Sequence, residues 1–317
     1  MRAARMLEGL TLDARHTVRG LRKSPVFTAT VVLTLALAIG GNTAIFSIVD
    51  QLLLRPLPYP QGDQLVTIYE TFQNAADLPG NVGNSVSPAN WLDWQRESRR
   101  LQSLAAFRGT TLTLTGVGEP IRLNAQLVSA EFFPLLGVPP LLGRVPADAD
   151  DRPNAPGVAV LSYQLWQTRF GGDPGLIGRV VQMNDRPIEI IGVMPASFRF
   201  VHQETDIWGP YRLDRHQAWR QTAGRFMNVV ARMNSGETLA SVRPEMEGIA
   251  QRLAATYDFN KNTSVKIVPL REELTGQVEP SLLMLYAAVG GLLAIACFNV
   301  ANLLVCLLYT SPSPRDS

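Results

Sequence analysis

Cysteine and histidine are scarce in this 317-residue chain, with two of the first and three of the second. Both cysteines, Cys297 and Cys306, sit in one apolar run near the C-terminal end. The polar middle therefore has no thiol for a disulfide and must hold itself together by its core. Within the apolar run the two cysteines read as small lipid-compatible side chains without a redox role. His16, His202 and His216 are scattered, and none has a cysteine or carboxylate at metal-ligand spacing. The pattern G-x-S-x-G is absent, which removes the commonest serine-hydrolase signal. The nearest thing to a phosphate loop is Gly20 to Ser24, but Arg22 stands where a glycine should precede the lysine and no strand leads into it. An acidic run, Asp148, Asp150 and Asp151, lacks the glycine and closing glutamate of a calcium loop and is followed by Pro153 and Pro156, so it reads as a solvated loop. No catalytic residue, metal or cofactor is expected, and nothing suggests nucleic acid as a partner.

Charge is missing in two places. No charged residue lies between Lys23 and Asp50, and none between Leu282 and Leu308. A helix rises about 1.5 Å per residue, so either run is long enough to cross a hydrocarbon core of about 30 Å. A secretory leader has a shorter apolar centre, although Ala36 and Ala38 supply an A-x-A-like pair and keep a cleaved leader as the alternative. Arg2, Arg5, Arg15, Arg19, Arg22 and Lys23 outnumber Glu8 and Asp13 ahead of the first run, which places the N-terminus in the cytoplasm and the middle of the chain outside. Leu7, Leu10, Ala14, Val18 and Leu21 recur at helical spacing with arginines between them. They predict an amphipathic helix on the inner membrane surface, serving as a collar for the span or as an anchor to acidic lipid.

Between the runs the pattern is mixed α and β. Pro56, Pro58 and Pro60 favour a stiff, extended tether, with Arg55 and Tyr59 at the headgroup level. A strand at LVTIYE precedes a helix opening at Ser87 and Pro88, with Trp91, Trp94, Leu101 and Leu104 along one side. The two tryptophans would suit a sugar platform, but on a helix beside a sheet they read as core. TLTLTG and IRLNAQLVS flank GVGEP as a hairpin. Further on come a strand at FMNVVARM, a helical stripe of Leu239, Val242, Met246, Ile249 and Leu253, and a strand at SVKIVPL. A strand-helix-strand unit thus lies at each end, and the two would interleave as a split β-α-β pair. The part between them holds VAVLS, a helix SYQLWQTRF stopped by Gly171 and Gly172, and a hairpin turning at Asn184 and Asp185.

The segments RGLRKSPVFTATVVLTLALAIGGNTAIFSIVDQLLLRPLPYP, SPANWLDWQRESRRLQSLAAF, LVSAEFFPLLGVPPLLGR, VAVLSYQLWQTRFGGDPGLIGRVVQMNDRPIEIIGVMPASFRF and ACFNVANLLV occur in order. Together they resemble the MacB/FtsX-type ABC transporter permeases, above all the long duplicated permeases of soil acidobacteria. The resemblance implies membrane helices joined to an α+β extracytoplasmic domain, a porter-like α/β lobe carrying an inserted β-rich lobe. It implies a non-catalytic permease subunit that couples ATP hydrolysis by a separate cytoplasmic ABC ATPase to movement of a periplasmic domain, in efflux or extrusion. The alternative is an FtsX-like signalling or scaffold role acting on an external partner such as a cell-wall hydrolase. A homodimer or pseudo-dimer in the bacterial inner membrane is implied as well, with a periplasmic adaptor or substrate protein as a further partner.

The expected organisation is a cytoplasmic amphipathic helix at 1–24, a first span at 25–54, the periplasmic domain at 55–280, a second span at 281–308 and a tail at 309–317. Within the domain, the porter-like lobe takes 62–127 and 214–275 and the inserted lobe takes 128–213. Family members continue past the second span; here CLLYTSPSPRDS follows, and it reads as an artefactual tail joined to an N-terminal fragment. Inside the apolar runs the polar residues are few. Asn42, Asn299 and Asn302, with Gly40, Gly41, Gly290 and Gly291, are expected to form helix contacts between spans or protomers, the amides hydrogen-bonding across close backbones. For Asn302 a place at the headgroup boundary is the competing reading.

Overall fold

The first charge-free run folds as one helix, α1, Pro25–Val49, and the second lies in the final helix, α7, Glu279–Thr310. Each is long and apolar enough to cross a membrane, over Thr28–Ser47 and Met284–Asn302. In α1 the hydroxyls of Thr30, Thr34 and Thr43 donate to the carbonyls of Val26, Thr30 and Ile39 at 2.9, 2.7 and 2.8 Å. Their polar atoms are thus satisfied within the helix, as an apolar solvent requires. Large apolar side chains point outward, among them Leu37 and Met284. The computed structural model describes residues 25–49, 57–72, 85–200, 204–217, 219, 224–275 and 279–310. The expected surface helix at 1–24, most of the tail, His16, His202 and Arg55 lie outside them.

The chain divides into two compact units, Met1–Arg55 with Gln277–Ser317, and Pro56–Gly276. The second unit contains β1 (Leu65–Phe72), α2 (Pro88–Glu97), β2 (Leu101–Thr115), β3 (Ile121–Val128), α3 (Phe132–Leu136), β4 (Leu142–Gly143), β5 (Val158–Leu161) and α4 (Tyr163–Phe170). It continues through β6 (Val180–Met183), β7 (Arg186–Val193), β8 (Ile207–Pro210), β9 (Asn228–Met233), α5 (Leu239–Thr256), β10 (Thr263–Pro269) and α6 (Leu270–Thr275). The strands join in one sheet of order β10-β1-β9-β2-β3-β8-β5-β7-β4, with β6 pairing β2 and β7.

The first four strands of that order are antiparallel to their neighbours. Because β9 enters between β1 and β2, and β1 between β9 and β10, the two strand-helix-strand units interleave as the sequence pattern implies. Successive side chains on a strand face opposite sides. Leu104 and Ala106 of β2, with Val229 and Ala231 of β9, face one core with Trp91 and Trp94 of α2 and Val242, Met246, Ile249 and Leu253 of α5. Ala105, Phe107 and Val230 face a second core with Phe132, Phe133, Phe200 and Trp208. Trp91 and Trp94 are each 1% exposed, so they are core residues and offer no platform to a ligand.

Ser87 caps α2, its side-chain oxygen accepting from Asn90 N at 3.2 Å, and Pro88 occupies the first turn. The helix ends at Glu97, so Leu101 and Leu104 lie on β2 instead of on a helix face. They reach the same core because the strand passes beneath α2, which is why their spacing resembled a continued helical stripe.

A third core fills the middle part of the chain, around Leu165 and Trp166 of α4 with Leu161, Ile190 and Ile207. Gly171, at φ 62°, ends α4 in the left-handed conformation, and Asn184 and Asp185, at φ 47° and 60°, turn the β6–β7 hairpin. At Gly143 (φ +68°) a Cβ would stand 2.1 Å from the Ile191 carbonyl oxygen, so β4 approaches β7 at a distance only glycine permits.

Candidate coupling site

In the first unit the half-covered positions of α1 include Leu35, Ala38, Asn42 and Ile45, and those of α7 include Val289, Leu293 and Val300, with Ala296 buried. Steps of three and four put each set on one helix stripe. The Asn42 side-chain amide donates to Ala38 O at 3.0 Å and to Val289 O on α7 at 3.2 Å. At Gly41 a Cβ would meet Val289 Cγ1 at 3.9 Å. Gly40, Gly290 and Gly291 have open space where a Cβ would stand, and Asn299 and Asn302 are exposed. Of the seven residues singled out in the sequence, Asn42 and Gly41 meet the other helix of this chain and the remaining five face outward.

In the second unit the segment ahead of β1 departs from the expected tether. Residues 57–61 run through bends and a turn into a 3-10 turn at Gly62–Gln64. Tyr59 is 6% exposed and its hydroxyl donates to the Arg199 carbonyl, which rules out a place at the lipid headgroups. Burial raises its phenol pKa above the ordinary value. Pro60 packs where a Cβ on Gly137 would stand, 3.3 Å from its Cγ. Arg232, a buried cation near the end of the apolar strand β9, donates to Leu135 O at 2.8 Å and to Gln61 O at 3.2 Å. One guanidinium thus ties the incoming segment and the end of α3 to the central sheet. Burial lowers its pKa from the ordinary arginine value.

A second set of charges sits where the chain leaves β3 and returns from β8. Asp151 is buried, and its two carboxylate oxygens accept from Ala130 N at 3.2 Å and Arg212 N at 2.5 Å. Tyr211 N donates to Val128 O at 2.9 Å beside them. This corrects the reading of the acidic run as solvated: Asp150 is held by Arg144 at 2.6 Å, and Asp151 closes the two passing segments together. Burial raises the Asp151 pKa, outweighing the two backbone hydrogen bonds that lower it. Neighbouring Glu131 behaves oppositely. Burial pushes it up, but hydrogen bonds from Arg215, at 2.8 Å, and Ser129 hold it below the usual carboxylate range.

On β1, beside the edge strand β10, Glu70, fully buried, accepts from Ser87 N at 2.7 Å and Asn90 Nδ2 at 2.9 Å and pairs with Arg225. Arg225 also donates to Phe259 O and Thr263 Oγ1 and lies over the rings of Phe72 and Phe259, 4.6 and 4.3 Å from their centroids. Arg232, Glu70 and Arg225 were missed in the sequence. The available signal was a lone charge inside an apolar strand, as with Glu70 in LVTIYETF and Arg232 in NVVARM. Among the described residues no group of three or more His, Cys, Asp and Glu side chains is placed to hold a metal ion.

Through Arg232 the hydrogen bonds run from the incoming segment and α3 to the sheet. The family description "MacB-like periplasmic core domain" matches residues 28–249. No curated protein matches the chain. Among solved structures, the periplasmic region of MacB from Actinobacillus actinomycetemcomitans is similar at 15% identity with a TM-score of 0.49, covering 69% of this chain and 94% of that one. The extracellular domain of the noncanonic ABC-type transporter YknZ from Gram-positive bacteria is similar at 13% identity with a TM-score of 0.45, covering 64% and 99%. With a family match over most of its length, the chain belongs to the MacB/FtsX-type permeases of ABC transporters, whose hallmark is the MacB-like periplasmic core domain.

Proposed function

We propose that the chain is a permease subunit of an ABC-type efflux or extrusion system, in which a separate cytoplasmic ATPase drives movement of the domain built on β1–β10. The observation that carries the reading is the placement of two helices long and apolar enough to cross a membrane, one before β1 and one after β10, in a chain whose residues 28–249 match the MacB-like family. On this reading α1 and α7 span the inner membrane and the basic N-terminal segment stays in the cytoplasm. The domain lies in the periplasm, at 55–280, with a porter-like lobe at 62–127 and 214–275 and an inserted lobe at 128–213. The exposed small and amide side chains, Gly290, Gly291, Asn299 and Asn302, are then available to a second protomer or to further spans. Movement of the segment at Leu57 would pass through Tyr59 and the Arg232 tie into the sheet.

A single cysteine at the exposed Glu119, in a chain with Cys297 and Cys306 replaced by alanine, tests both the topology and the coupling. An impermeant maleimide should label it from outside intact spheroplasts, and its labelling rate should change with ATP when the partner ATPase is present. Labelling only in inside-out vesicles, or a rate indifferent to ATP, would overturn the proposal. ATP-dependent movement that releases no substrate but activates an external hydrolase would replace efflux with FtsX-like signalling.

A further inference from the structure

The domain contains a half-open cavity of about 680 Å³, bounded by the incoming segment, α4, the chain after β7 and the chain entering β8. Its volume falls in the range of small-molecule sites, roughly 300 to 1,000 Å³. Three properties bear on what it would hold.

The first is its aromatic wall. Phe198 and Trp208 meet edge to face with centroids 5.3 Å apart, and Tyr59 joins them. All three are almost wholly buried, so the ring surface they present to the cavity is held by the packing behind it. Tyr163, on the α4 side, adds a fourth ring to the lining. Such a wall favours aromatic, polarisable bodies over flexible aliphatic ones. The second is charge. Glu204 and Asp206 line one side and Arg199 is the cation among the lining residues, which leaves a net negative balance. Asp206 is fixed, because its Oδ2 accepts from Asn124 N at 2.8 Å. A positive charge placed near carboxylates and ring faces is attracted by both. The third is that the polar groups of α4 beside the cavity are satisfied locally: Thr168 Oγ1 donates to Gln164 O at 2.8 Å, and Ser162 Oγ accepts from Leu165 N at 3.1 Å. They provide a polar margin without requiring a ligand.

We propose that this cavity is a binding site for an aromatic organic cation of a few linked or fused rings. The proposal concerns binding alone and stands whether or not the chain takes part in transport.

The test uses the full chain in lipid nanodiscs, with equilibrium dialysis against tetraphenylphosphonium and its isosteric anion tetraphenylborate, and empty nanodiscs as baseline. Saturable binding of the cation above baseline is expected, with the anion bound more weakly. Thr168→Trp, a change at an exposed position beside the cavity, should lower cation affinity about tenfold or more by occupying the space. Two further variants at exposed positions read the charge. Glu204→Gln should weaken the cation by about fivefold and Arg199→Gln should strengthen it by a similar factor, the scale of one charge at close range in water. These two keep the test decisive if the tryptophan variant fails to fold. Absence of saturable binding, wild-type affinity in a folded Thr168→Trp chain, affinity unmoved by either charge variant, or an anion bound as tightly as the cation would each overturn the proposal.

Discussion

The side-chain amides of Asn90 and Asn260, 170 positions apart in sequence, face each other across the buried edge of the sheet, each donating to the other's oxygen at 2.9 Å. The pair fastens the start of α2 to the turn before β10, and so one strand-helix-strand unit to the other. A buried amide that loses its partner costs about 1–3 kcal/mol, whereas replacing both partners by apolar groups is far less costly. Asn90→Leu and Asn260→Leu should each lower the melting temperature by several degrees. The double variant should lose less than the sum, and a double-mutant cycle in urea checks this.

Glu70 and Arg225 form a harsher case. Glu70 is fully buried, and the Arg225 side chain is 20% exposed. Removing one member of a buried ion pair leaves an uncompensated charge, at a cost of about 3–5 kcal/mol. Glu70→Gln removes the charge but keeps the shape and an acceptor for Ser87 N, so it should still shift the urea midpoint by nearly as much as Glu70→Ala. A Glu70→Gln shift far smaller than that of Glu70→Ala would show that packing and the Ser87 hydrogen bond, and not the charge, dominate there.

Asp151 and Glu131 should leave opposite marks on stability as pH falls. The native pKa of Asp151 is raised above its unfolded value near 3.9, so burying its charge costs stability at neutral pH, and that cost fades as pH drops through the native value. The native pKa of Glu131 is lowered, so its contribution is present above the unfolded value near 4.3 and is lost as pH falls through the native one. On acidification from neutrality, wild type should gain on Asp151→Asn and lose against Glu131→Gln. Urea unfolding at a series of pH values measures both slopes.

In the helix pair, Asn42→Leu removes the donor to the Val289 carbonyl and should weaken α1–α7 association by about 0.6–2 kcal/mol. Disulfide trapping between cysteines placed on the two stripes reports it. Asn299→Leu should leave that trapping unchanged, because Asn299 is exposed on this chain.

Much of the domain was legible because its signals are local. The caps at Ser87, the stop at Gly171 and the turn at Asn184–Asp185 each follow from the conformational preference of a residue or two. The interleaved sheet was legible because both units carry their own period. What escaped depended on distant partners. Tyr59 looked interfacial because nothing near it in sequence announces the Arg199 carbonyl. Asp151 looked solvated because its two backbone donors lie 21 and 61 positions away. Of the amides and glycines in the apolar runs, only Asn42 and Gly41 meet the other helix, since composition shows which residues permit close approach but not which way a helix is turned.

One strand is shared across the domain. β2 pairs β9 over Leu101–Phe107, with a register shift between Leu101 and Ser103, β3 over Phe107–Leu114 and β6 at Leu114 and Thr115, so one strand of 15 residues serves three neighbours. At about 3.4 Å per residue that is a beam of roughly 50 Å. Its far end is paired as well, to β6, which in turn pairs β7. Separating the two halves of the sheet would therefore require breaking hydrogen bonds along this one strand.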